Sequence, residues 1–89
     1  SHSIKILYAL SNSLPADVWV KAFKRRANEI TITGGALEFN YVSDFMKKLS
    51  ENTYFGNVQP KFQKNERTSG GVQFVSFELS VRSNQKRGR

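Results

Sequence analysis

A chain of 89 residues has room for one domain with a modest core, and its 38% hydrophobic and 12% aromatic content excludes a disordered basic tail. No cysteine is present, so disulfides and thiolate metal sites are excluded. A net charge of +7 favours acidic partners, whether nucleic acid, anionic lipid or acidic protein, without choosing among them.

No apolar run approaches the roughly 20 residues that span a bilayer. Residues 1–3, "SHS", read as a cloning remnant, and they hold the sole histidine, His2. From Ile4 to Ser13, Ile4, Leu7, Tyr8 and Leu10 fall near helical spacing on one face. Pro15 ends that helix, because a proline pushes the preceding residue out of the helical region. Asp17 to Arg26 alternates instead: Val18, Val20 and Ala22 on one side, Trp19, Lys21 and Phe23 on the other. "ANE" predicts a tight turn and "ITIT", Ile30 to Thr33, a returning strand, so the pair reads as a hairpin that Gly34 and Gly35 terminate.

In "EFNYVSDFMKKLSEN", Phe39, Val42, Met46 and Leu49 recur at helical steps with Phe45 alongside, which predicts an amphipathic helix stopped near Asn52. Asp44 and Lys48, and Lys47 and Glu51, are spaced to meet on its wet face. "YFGNVQPKFQK" then alternates Val58, Pro60 and Phe62. Pro60 lacks an N–H, so this strand belongs at an edge or carries a bulge. "NERTSGG" is a polar turn. Val72 to Arg82 places Val75, Phe77, Leu79 and Val81 on one face and closes a second hairpin. "SNQKRGR", residues 83–89, reads as a basic flexible tail.

The last strand contains a run close to the RNP1 signature of RNA-reading RRM domains. Gly71, Phe74, Val75 and Phe77 fall on its glycine, phenylalanine, valine and final aromatic positions. Gly70 stands where a cation belongs, Val72 replaces an aromatic and Gln73 a small residue. The element order also disagrees. An RRM carries RNP1 on its third strand, with a strand ahead of the first helix. Here helix, strand, strand, helix, strand, strand predicts an α+β two-layer sandwich of ferredoxin-like kind over residues 4–82. Its four-stranded antiparallel sheet carries both helices on one face. A small basic nucleic-acid-binding, RRM-like domain is the alternative.

Catalytic machinery is not expected. The seven carboxylates, Asp17, Glu29, Glu38, Asp44, Glu51, Glu66 and Glu78, sit mostly at turns or wet positions. The double glycine lacks the Lys-Ser/Thr of a phosphate-binding loop, and no metal-ligand spacing occurs. No cofactor or metal is therefore expected. Lys24, Arg25 and Arg26 form a basic patch at the hairpin tip, able to meet phosphate or an acidic subunit, or simply to keep that end soluble.

Three stretches together resemble a known family: "LSNSLPADVWV", "NEITITGGA" and "VSDFMKKLSENTYFGNV". Leu14, Pro15, Val18 and Trp19 match a leucine-proline followed by a strand with an early tryptophan. Gly34 or Gly35 with Ala36 match a strand ending in glycine. Val42, Phe45, Leu49, Tyr54, Phe55 and Val58 match a helix leading to an aromatic pair. "FELSV" fits the closing strand. The resemblance is to the periplasmic domain of PilN-type type IV pilus assembly proteins, and it spans about residues 4 to 82. The L subunit of type II secretion has a similar domain. The resemblance implies a non-catalytic scaffold in the inner-membrane assembly platform. Such a domain follows a membrane anchor and a coiled coil, and it associates with itself, a PilO-like subunit and other platform proteins. Trp19, Phe23 and Phe74, out of phase with the core on the sheet, are candidate interface residues, as are Leu7 and Tyr8 on the first helix; Tyr54 and Phe55 after the second read as core anchors or as partner-facing.

Overall fold

The computed structural model describes residues 2–84. Its order is α1 (His2–Asn12), β1 (Val18–Arg26), β2 (Glu29–Ala36), α2 (Phe39–Glu51), β3 (Phe55–Arg67) and β4 (Gln73–Ser83). The strands form one antiparallel sheet in the order β1-β2-β4-β3. Moving the last strand to the front of this order turns αββαββ into the βαββαβ of the ferredoxin-like fold, so the chain is a cyclic permutation of it.

Of the stripe its spacing suggested, the first helix buries only Leu10. Ile6, Ala9 and Leu10 enter the core, whereas Ile4, Leu7 and Tyr8 face outward, Tyr8 being 70% exposed. Both stripes obey a three- and four-residue period, so periodicity alone could not choose between them. The helix ends where Ser13 is buried and turns its hydroxyl back to the Ala9 carbonyl at 2.9 Å. In α2 the buried stripe is Val42, Phe45 and Leu49, and Phe39, at the first turn, lies outside it. Asn52 stops α2 by donating its N–H to the Leu49 carbonyl, and its side-chain oxygen accepts the Tyr54 N–H at 2.9 Å.

The strand β2 does not stop at the double glycine. It continues to Ala36, with Gly35 paired to Trp19 and Gly34 to Val20. These glycines are needed because the neighbouring strand crowds them, not because the chain turns. A Cβ on Gly34 would strike the Trp19 carbonyl oxygen, and one on Gly35 would strike the Trp19 ring. Left-handed residues do stand in the β1–β2 connection, where Ala27 has a φ of 55°, and in the β3–β4 turn, where Gly71 has a φ of 90°.

Pro60 lies on an edge strand, as its missing N–H requires. The β3–β4 ladder slips twice, between Gly56 and Gln59 and between Pro60 and Phe62. Phe62 is consequently left exposed. On β4 the alternation holds throughout: Val75, Phe77, Leu79, Val81 and Ser83 are all buried. Ser83 belongs to the strand, its N–H bonded to the Asn28 carbonyl at 2.7 Å, and the Asn84 side chain holds the Phe55 carbonyl at 3.0 Å. Of the expected tail, residues 85–89 lie outside the described residues.

Both helices cover the same face of the sheet. Ile6 and Leu10 of α1 and Val42, Phe45 and Leu49 of α2 share one cluster with Val18, Ile30, Ile32, Phe77 and Leu79. Phe45 meets Phe77 edge to face with ring centroids 5.9 Å apart. Among the described residues no helix covers the other face.

Candidate docking surface

The open face of the sheet is built by residues that alternate with the core. Trp19 pairs with Gly35, and Gly35 pairs in turn with Ser76. With no side chain at Gly35, the indole lies flat across β2 toward β4. There it meets Phe74, ring centroids 5.8 Å apart and planes tilted by 47°. Leu37, at the end of β2, and Val72, at the start of β4, complete the apolar walls. Lys21, Glu66, Thr68 and Ser76 form the polar rim of a groove of about 500 Å³. Trp19 is 43% exposed and Val72 58%. A solvated sheet face normally carries polar side chains, so an open aromatic pair there marks a contact surface.

Beyond the groove this face carries exposed Phe62, paired with Glu78, among polar side chains that hydrogen-bond one another. Ser80 donates to the Glu29 carboxylate at 2.7 Å, and Ser76 to Glu66 at 3.1 Å. At the β1–β2 turn, Lys24, Arg25, Arg26, Glu29 and Thr31 line a shallow trough of about 590 Å³. At the opposite end of that ladder, Tyr41 lies near Asp17. The charge of Asp17 is the main cause that pushes the phenol's pKa up, followed by that of Glu38. Among the described residues no three of His, Asp and Glu converge to hold a metal ion.

Of the expected interface residues on the sheet, Trp19 and Phe74 are brought together. Phe23 is not on their face. The β1–β2 register shifts between Val20 and Ala22, so the bulge inverts the alternation and Phe23 pairs with Ile32 and packs against the core. Phe55 is fully inside and Tyr54 packs partly against the same cluster, which removes the former from any docking role. Leu7 and Tyr8 stand with Ile4 on the free face of α1. The basic patch is the last three residues of β1, all exposed, with Arg25 opposite core-facing Ile30 and Lys24 and Arg26 opposite Thr31 and Glu29 of the open face. Leu37 was missed: one leucine between a strand and a helix carries no periodic signal, and only the register sets it beside Trp19.

The family model of the fimbrial assembly protein (PilN) matches residues 5–83. A comparison with curated proteins finds no match.

Proposed function

Because the chain belongs to the PilN family of fimbrial assembly proteins, and so to the machinery of type IV pilus assembly, we propose that it acts there as a non-catalytic scaffold. In this reading the domain lies on the periplasmic side of the inner membrane, carried by an anchor. It positions the assembly platform by binding a second copy or a homologous PilO-like subunit. The observation that carries the reading is the Trp19–Phe74 groove on the face no helix covers. Clusters of aromatic side chains that can be fully desolvated dominate binding at protein interfaces. The flanking edges are less inviting. Edge strand β3 is interrupted by Pro60 and two register shifts, and β1 by its bulge, which blunts strand-to-strand pairing.

A nucleic-acid role has less support. Of the aromatics in the RNP1-like run, Phe77 is buried under α2, leaving Phe74 alone on the open face.

The test is light scattering and crosslinking of the domain, alone and with PilO-like subunits. Association expected with one of them should be lost in Trp19→Ala. A strict monomer that ignores every such subunit overturns the reading.

A further inference from the structure

The exposed large apolar residues gather in two places on opposite sides of the sheet. One is the free stripe of α1: Ile4, Leu7 and Tyr8, spaced three and four residues apart. Because Ile6, Ala9 and Leu10 of the same helix are pressed onto the core, this stripe points away from the sheet. The other is the Trp19–Phe74 groove on the open face. A neighbouring depression shares Leu37 and Phe74 with the groove and adds Phe39, which extends its apolar wall. Of the eight exposed large apolar side chains among the described residues, seven belong to one patch or the other, Phe62 being the exception.

Shape and charge indicate what fills the groove. It is concave, so a second groove laid against it leaves a void, whereas the side chains of a helix stripe project and can fill it. The charge around it also runs against the rest of the chain. Fourteen cations face seven carboxylates over the whole sequence. The linings of the groove and its neighbouring depression hold two of those carboxylates, Glu66 and Glu38, against one cation, Lys21. A segment that is apolar and positively charged suits such a rim. Helix α1 is such a segment: exposed Lys5, on the flank of the stripe, is its only formally charged side chain.

We infer that the groove of one copy receives the free stripe of α1 from a second copy, with Ile4, Leu7 and Tyr8 covering the Trp19–Phe74 pair and Lys5 toward the carboxylates of the rim. This rests on the scaffold reading and names the groove's occupant. Because stripe and groove face opposite ways, two copies cannot exchange them reciprocally, as a closed twofold dimer requires. The contact is head to tail, and copies stack, each presenting a helix to the open sheet of the next.

The test is sedimentation velocity of the domain over a concentration series. The series extends to about 1 mM, because a stripe in a groove is far smaller than the roughly 20–30 residues a side of a standard interface. The parent's mass should rise past the dimer. Leu7→Ser/Tyr8→Ser on the stripe and Val72→Asp at the groove change exposed positions, and each should weaken self-association at least about tenfold, with circular dichroism showing both variants folded. Each variant lacks a different half of the contact. Their equimolar mixture should therefore recover a dimer and stop there, because the groove variant's stripe still fits the stripe variant's groove. A parent that stops at the dimer would overturn the proposal, and so would a mixture no more associated than either variant alone, since in both cases like meets like. Lys5→Glu should weaken association by up to about fivefold at low salt and less at high salt; tighter association in this variant would also overturn it. A parent that stays monomeric yet binds a PilO-like subunit through Trp19 sinks this inference and leaves the scaffold reading standing. A parent that does neither sinks both.

Discussion

The seat of the Trp19 ring can be tested with one methyl group. In Gly35→Ala the new Cβ would meet Cζ2 of Trp19 and lie 2.6 Å from Cε2 and 2.9 Å from Nε1. Carbon atoms rest about 3.5–4.0 Å apart, so the ring must lift. The atoms it meets are side chain, so the strand pairing can survive. Trp19 is 43% exposed, hence covered over somewhat more than half its surface. A tryptophan buries up to about 250 Å², so about 140 Å² of contact is at stake. At about 25 cal/mol per Å², full ejection would cost about 3.5 kcal/mol. A lifted ring keeps part of this but loses the Phe74 pairing, worth about 1 kcal/mol. The expected destabilisation is therefore about 2 kcal/mol, a fall in Tm of about 8–16 °C for a domain this size. Trp19 is the only tryptophan, so its fluorescence reports the event directly: emission shifts to the red and iodide quenching increases. An unchanged spectrum with Tm within about 2 °C of the parent would refute the claim that Gly35 exists to seat the ring.

Gly34→Ala should be worse, because its Cβ meets the Trp19 carbonyl, which no rotamer change can move. A loss above about 3 kcal/mol in urea unfolding is expected, beyond the usual range for overpacking. Phe45→Ala removes a fully buried ring packed on Phe77 and should cost about 3–5 kcal/mol by the same assay. Phe74→Ala, on a half-buried ring, should cost less stability yet weaken partner binding at least about tenfold by calorimetry if the groove is the docking site. Tyr41 has a pKa raised above its ordinary 10.0 by Asp17 and then Glu38. Its contribution is thus fully present below pH 10 and lost as pH rises through the higher folded value. Thermal melts should show the parent losing stability relative to Tyr41→Phe as pH rises above 10, because only the parent must then ionise a phenol beside Asp17 and Glu38.

The readability of the sequence differed by element for physical reasons. The strand β4 could be read position by position, since one face is covered along its length and a period of two admits a single assignment. Pro60 announced an edge because a missing donor is a local fact. The first helix could not be read this way. Apolar residues occupy two stripes on it, and which one is buried depends on a sheet formed by residues farther along the chain. The bulge after Val20 was likewise invisible, yet it decides that Trp19 stays outside while Phe23 turns in.

Order and type of the six elements, the covered face of β4, the basic turn and the family were determined by the amino-acid sequence, because each rests on local chemistry or on the succession of residues. The docking groove was decided only in three dimensions. Trp19, Leu37, Val72 and Phe74 become neighbours through two strand registers and a glycine that leaves the ring room to lie down. Register is a relation between distant segments, and no single segment carries it.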